Sequence, residues 1–121
     1  VVIASGETTT SIPDSSAITG HGGPGQELVL GFALAAEKAP GCVMLSIDSE
    51  GTDGTTPAAG GLTDSRSAAT ARAAGVDLHA ALRGHASYEA LSQINDIILT
   101  GNTGTNLCDF NIMYVPVPPA Q

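Results

Sequence analysis

The sequence predicts a single α/β domain, a layered α/β/α arrangement around a mixed, mostly parallel sheet. Cys42 to Ile47 is an uninterrupted apolar run between breakers, the pattern of an interior strand covered on both faces, and Ile97 to Thr100 reads the same way. Helical segments separate the strand-like ones, which favours stacked layers. The length of 121 residues supports one core and not two.

Taken in order, Val1 to Ser5 reads as a short buried strand, followed by a polar stretch containing Pro13. Ala17-Ile18-Thr19 reads as a second strand before the glycine-rich segment Gly20 to Gly25. From Gln26 to Ala39 the chain is apolar nearly all round, which at this length predicts a buried helix, and Pro40-Gly41 stops it. Cys42 to Ile47 then feeds a loop, Asp48 to Pro57, too polar and glycine-rich for regular structure. Asp64 is placed to cap a helix running to Ala74, with Gly75 at its end. Short helices follow over Asp77 to Arg83 and Tyr88 to Gln93. After the Ile97 strand comes the loop Gly101 to Asn106, and Leu107 to Val115 returns as a longer strand. Pro116, Pro118 and Pro119 end the domain.

Composition narrows the function classes. Aromatic residues are 3% of the chain against 42% hydrophobic, so the core is built from small aliphatic side chains that pack helices closely on the sheet. Twelve acidic residues oppose four basic ones, Lys38, Arg66, Arg72 and Arg83, for a formal charge of −8. Four scattered cations cannot displace counterions from a polyanion, which excludes nucleic acid and anionic membranes as partners. Cys42 and Cys108 form no metal or redox spacing and read as buried free thiols. Val1 to Ala4 is too short and lacks the basic flank of a secretory leader, and no run approaches the roughly 18 apolar residues of a membrane span. A cytoplasmic setting is expected, for a chain that opens on a strand without an initiator Met and so reads as cut from something longer.

Three loops carry more polarity than packing requires. Gly20-His21-Gly22-Gly23-Pro24-Gly25 matches G-x-G-x-x-G ahead of a helix, which suits a dinucleotide or phosphate at the helix N-terminus or, equally simply, a tight turn beneath a closely packed helix. In Gly51 to Gly61, Asp53, with Asp48 and Glu50 nearby, offers hard oxygen ligands for Mg²⁺ or caps its own turn. Thr100 to Asn106 pairs hydroxyls and amides with two glycines, fit for close approach to a substrate's oxygens or for a structural turn. His21 is the histidine to watch, while His79 and His85 sit on or beside helices and read as structural. No G-x-x-x-x-G-K-[ST] is present, so a P-loop is excluded.

Three ordered segments together resemble one family: Gly6-Glu7-Thr8-Thr9 with Gly20 to Leu28; Gly51-Thr52-Asp53-Gly54 continuing to Gly60; and Thr100 to Asn106 with Asp109. They are similar to the MOFRL domain, the C-terminal part of class II glycerate 2-kinases, a family also labelled hydroxypyruvate reductases. The resemblance covers essentially all of residues 1–121. It implies a two-domain enzyme that moves the ATP γ-phosphoryl group to the 2-hydroxyl of glycerate with Mg²⁺, across a cleft shared with a Rossmann-like N-terminal domain that is not part of this sequence. It places Glu7 and Asp53 as catalytic carboxylates, Asp53 also at the metal. It places Gly20, His21, Gly22, Gly23, Gln26, Thr52, Thr103, Gly104, Thr105 and Asn106 at the substrate. ATP and Mg²⁺ would bind only with the N-terminal domain, and the isolated chain is expected to be inactive. NAD(P)-dependent reduction of hydroxypyruvate through Gly20, Gly22 and Gly25 is the alternative, and a non-catalytic interaction domain is a third. One departure stands out. The family reads Gly-Gly-Arg-Asn-Gln-Glu where this chain has Gly22-Gly23-Pro24-Gly25-Gln26-Glu27, so Pro24 replaces an arginine suited to steadying transition-state charge. No nearby Lys or Arg obviously replaces it, although Arg66 could reach a shared cleft.

Overall fold

The computed structural model describes residues 1–117. Five strands, β1 (Val2–Gly6), β2 (Val43–Asp48), β3 (Gly60–Asp64), β4 (Ile97–Ile98) and β5 (Asp109–Tyr114), form one sheet in the order β1-β5-β2-β3-β4. Every neighbouring pair runs antiparallel, so the mostly parallel sheet expected from the sequence is wrong. The physical reason lies in β2. Its apolar run is not buried on both faces: Met44 and Ser46 are buried, while Val43, Leu45 and Ile47 on the other face are half-buried. An antiparallel sheet tolerates that asymmetry, and a parallel one rarely does.

Helices α1 (Pro24–Ala36), α2 (Ser67–Ala73), α3 (Leu78–Arg83) and α4 (Ser87–Ile94) pack against one another, with α1 lying on β2 and β3. Val29, Leu30, Ala33, Met44, Leu91 and Ile94 are central to the core between them and the sheet. On this face Thr63 Oγ1 donates to the Val29 carbonyl at 2.8 Å. The opposite face aligns Leu62, Leu45, Ile112 and Ile3 across four strands, and Leu62 and Ile3 are 44% and 69% exposed. Among the described residues the domain is therefore two layers, not the three expected.

Other expectations also need correction. The first strand is an exposed edge and not a buried one, because only β5 flanks it. Ala17 to Thr19 is not a strand: Ser15–Ala17 is a 3₁₀ turn capped by Asp14, whose Oδ1 accepts from the Ser16 N–H at 2.9 Å. Strand β3, between the expected loop Asp48 to Pro57 and the expected helix, is not foreseen from the sequence. Gly61 is there because a Cβ would lie 2.8 Å from Val29 Cγ2 and 3.0 Å from Leu91 Cδ1, so two helices require a strand without a side chain. Asp64 ends β3 and does not cap α2 through its side chain; it pairs instead with Arg66. Cys42 is buried, whereas Cys108 is exposed; both are free thiols. Helix α3 does begin at the expected place, with Asp77 Oδ1 accepting from the Ala80 N–H at 2.9 Å. Pro116 follows β5, and Pro118 and Pro119 lie outside the described residues. Among the described residues no helix is long and apolar enough to cross a membrane.

The two faces of the sheet should answer differently to truncation. Leu30→Ala, at a fully buried site, is expected to lower unfolding free energy by about 2–5 kcal/mol. Leu62→Thr on the open face should change it by no more than about 0.5 kcal/mol. Urea titration of both variants measures the contrast, and equal losses would mean that both faces carry core.

Candidate functional site

Antiparallel pairing brings the three polar loops to one rim. Gly6 at the end of β1, Asp109 at the start of β5 and Asp48 at the end of β2 stand side by side in register. Next to them Ile47, Gly60 and Ile98 align the end of β2, the start of β3 and the end of β4. Alternating strand directions therefore send the segments following Gly6, Asp48 and Ile98 out of the same edge. Helix α1 starts there too, because Gly25 packs over Ser46, where a Cβ would come within 2.7 Å of Oγ.

Asp53 organises this rim. It is 3% exposed, and its two carboxylate oxygens accept the backbone N–H groups of Gly25 at 3.2 Å and Gln26 at 2.8 Å. Gly23, the residue before the helix, has no side chain to cap with, and Pro24 in the first turn has no N–H to satisfy. The carboxylate arriving from a distant loop thus serves as the cap and meets the positive end of the helix dipole. Burial pushes the Asp53 carboxyl above its ordinary value, against the Gln26 and Gly25 hydrogen bonds, which favour the anion, and Asp109 adds like-charge repulsion. A Cβ on Gly23 would collide with the Asp53 carboxylate, and one on Gly54 would collide with the Gly22 carbonyl. Glycines here let two loops touch.

Gln26, expected at the substrate, lies below the surface with no exposure. Its Nε2 donates to the Asp53 carbonyl at 3.2 Å and to Thr56 Oγ1 at 2.9 Å. It belongs to the support of the loop, because its place in the first turn of α1 turns it inward. Gln26 Oε1 and Ser87 Oγ are buried polar atoms without a partner among the described residues.

Two recesses flank Asp53. One is open and polar, about 430 Å³, lined by Glu50, Thr52, Asn102, Gly104, Thr105 and Asn106. Here Asn106 Nδ2 donates to Glu50 Oε1 at 2.6 Å, and Thr103 binds the Glu50 carbonyl through its N–H at 3.1 Å and the Ser49 carbonyl through its hydroxyl. Thr52, Gly104, Thr105 and Asn106 thus line one recess, and Thr103, in the same loop, is tied to Ser49 and Glu50. The other recess, about 280 Å³, has Gly20, Gly22, Gly23, Gly54 and Thr55 among its walls. Glu7 lies apart, exposed at the end of β1, where the neighbouring Thr8 N–H donates to Asp109 Oδ2 at 2.7 Å.

His21 stands on the outside, its ring 69% exposed and its Nδ1 2.8 Å from Glu89 Oε1. Burial pushes Glu89 upward, but the His21 hydrogen bonds prevail and hold it below the usual carboxylate range. The histidine that lines the smaller recess is His85, read from the sequence as structural. Its Nδ1 is 2.7 Å from Glu27 Oε1. No spacing in the sequence points to this pair, since 58 residues separate its members. Arg66 cannot stand in for the family's arginine. It follows Asp64 at the far end of β3, away from this rim, and is paired there.

The chain matches the MOFRL family over residues 1–109. It is 40% identical over 111 residues to a D-glycerate 2-kinase of Thermotoga maritima, covering 92% of this chain and 26% of that protein. It is 36% identical over 115 residues to a putative hydroxypyruvate reductase of Agrobacterium vitis, covering 95% and 29%. A crystal structure of glycerate kinase from Thermotoga maritima superposes with a TM-score of 0.87 at 38% identity, over 94% of this chain and 27% of that one. A Pyrococcus horikoshii protein gives 0.81 at 37%, over 93% and 25%. The chain spans about a quarter of the length of these relatives.

Removing the Asp53 carboxylate leaves two buried N–H groups unpaired, so Asp53→Ala is expected to cost about 1–3 kcal/mol or more. The pH dependence has a definite sign. A carboxyl held above its ordinary 3.8 in the folded state contributes most below that pH and progressively less as pH rises through its folded value. The stability gap between wild type and Asp53→Ala should therefore widen as pH is lowered from about 7 toward 4. Urea midpoints across that range test this, and a gap that narrows on acidification would contradict it.

Proposed function

The chain belongs to the MOFRL family, and we propose that it is the C-terminal domain of a glycerate 2-kinase-like enzyme, forming one wall of a cleft where ATP phosphorylates a small hydroxy acid. The observation that carries this reading is the convergence of the three polar loops on one rim, around a loop clamped by Asp53. Phosphoryl transfer asks mainly for positioning and charge neutralisation, which two facing walls can share.

This wall suits the hydroxy acid better than the nucleotide. A chain of formal charge −8 repels the several charges of a polyphosphate more than the single carboxylate of a hydroxy acid. The N–H groups at the start of α1, which could cradle an anion, are already held by Asp53. Among the described residues no three His, Cys, Asp or Glu side chains are grouped to hold a metal ion. Both Asp53 oxygens are committed to the helix, so the residues here do not fit a resident Mg²⁺. We assign ATP and its metal to the remaining part of the polypeptide that the longer relatives possess. Thr52, Thr103, Thr105 and Asn106 then offer hydroxyl and amide groups to the substrate, Gly20, Gly22 and Gly23 wall the smaller recess, and Asp53 acts as a positioning residue. Glu7 and His21, both exposed, face outward and would meet whatever closes the cleft. Reduction by NAD(P) fits this rim less well, because a pyrophosphate at Gly20 to Gly25 would have to displace the Asp53 carboxylate.

ATP consumption with D-glycerate and Mg²⁺ is the test. Turnover is expected from the full-length polypeptide and none from the 121-residue chain alone. Thr105→Ala in the full-length protein should lower kcat/KM by about tenfold, the worth of one lost hydrogen bond of ~1.4 kcal/mol. Oxidation of NADH by hydroxypyruvate, with no ATP-dependent turnover, would overturn the kinase reading.

A further inference from the structure

The smaller recess contains a pair of side chains to which the kinase reading gives no task. Glu27, in the first turn of α1, and His85, in the link between α3 and α4, are 18% and 17% exposed. A carboxylate accepts and does not donate, so the imidazole Nδ1 at 2.7 Å carries the hydrogen. Thr10 Oγ1 donates to the other carboxylate oxygen at 3.4 Å and steadies it. With Nδ1 engaged, Nε2 is the nitrogen left over, and it makes no hydrogen bond among the described residues. A carboxylate that fixes one imidazole tautomer leaves the other nitrogen ready to take a proton.

The backbone supports the same assignment. His85 has a φ of 52°, a left-handed conformation that glycine adopts far more readily and that is uncommon for other residues. Helix α3 ends at Arg83 and α4 begins at Ser87, so the link is short. The strained residue carries its ring across to α1, and strain of this kind gathers at functional sites. Around the pair, Ile12, Ile18 and Pro24 supply apolar wall and Thr55 a hydroxyl. At about 280 Å³ the recess suits a molecule of a few heavy atoms and not a nucleotide.

We propose that this recess receives the acceptor hydroxyl of the small hydroxy acid while the hydroxyl and amide groups of Thr105 and Asn106, on the other side of the Asp53 loop, hold its far end, and that His85 Nε2 removes its proton. The proposal rests on the kinase reading. As the hydroxyl hydrogen passes to Nε2, the oxygen's electron pair forms the new bond to the γ-phosphorus of ATP. The bond from that phosphorus to the β,γ-bridging oxygen breaks, and its electron pair leaves on ADP. Glu27 is a positioning residue that stabilises the imidazolium as it forms. That imidazolium also places a positive charge in the recess lined by Pro24, the position at which the family reads arginine. The competing histidine, His21, does not line the recess, and Asp53 is buried behind Gly23.

Glycine is the informative replacement, since a positive φ suits it and the lost ring leaves room for free imidazole. In the full-length protein His85→Gly is expected to lower kcat about 100-fold with KM within about threefold, in the range of general-base catalysis. Added imidazole should restore activity saturably and leave wild type unchanged. Glu27→Gln should give an intermediate kcat. Because the residues that line the recess here belong to this chain, D-glycerate added to the 121-residue protein should shift the His85 ring resonances saturably and leave those of His21 and His79 in place. A folded His85→Gly enzyme with wild-type kcat, or a loss that imidazole does not repair, would overturn the base assignment while the kinase reading stands. A His85 signal unmoved by D-glycerate would overturn the site. If the signal moves but the full-length protein consumes no ATP, the kinase reading falls and the hydroxy-acid site remains.

Discussion

The bond between the Asp53 carboxylate and the first turn of α1 is the constraint on which the rim depends. Helix α1 has no side-chain cap of its own, and its first turn is buried against the sheet, away from water. Buried N–H groups without partners would cost more than the helix's local propensity returns. The carboxylate that satisfies them comes from the loop between β2 and β3, so the helix and that loop are fixed together. Gln26 reinforces the junction by reaching the Asp53 carbonyl and Thr56. Both recesses inherit their shape from this junction, because Thr52 lines one and Gly54 and Thr55 line the other.

Much of the helical part was legible, since α1 carries a long apolar stretch and α3 a side-chain cap that local rules read well. The sheet was less so. Cys42 to Ile47 looks like an interior parallel strand, and only tertiary packing shows that one of its faces is open. Gly60 and Gly61 look like loop, because the demand for a strand without side chains is made by α1 and α4, from elsewhere in the chain. The site loops stand out by their surplus of hydroxyls and amides. They meet because antiparallel strands alternate direction.

The roles of individual side chains leave the weakest trace in the sequence. Asp53 and Gln26 are polar residues in a polar loop, and no local pattern distinguishes an exposed ligand from a buried clamp. Of the histidines, His21 drew notice because it sits among glycines, whereas the structure turns it outward to Glu89 and turns His85 inward to Glu27. A pair separated by 58 residues leaves no trace in a single sequence.

The same clamp explains how the work is divided. A domain that spends its helix N-terminus on its own aspartate has given up its most favourable phosphate site. Its charge of −8 opposes a polyphosphate more than a single carboxylate. What the rim retains is hydroxyls, amides and one imidazole held by a carboxylate, groups that recognise an alcohol and can take its proton. The absence of arginine at Pro24 fits that division: a fixed cation serves transferring phosphate, while an imidazole acquires its charge only as the hydroxyl is consumed. Charge then appears on this wall with the reaction and not before it, which suits a surface that must first admit a neutral hydroxyl beside Glu27.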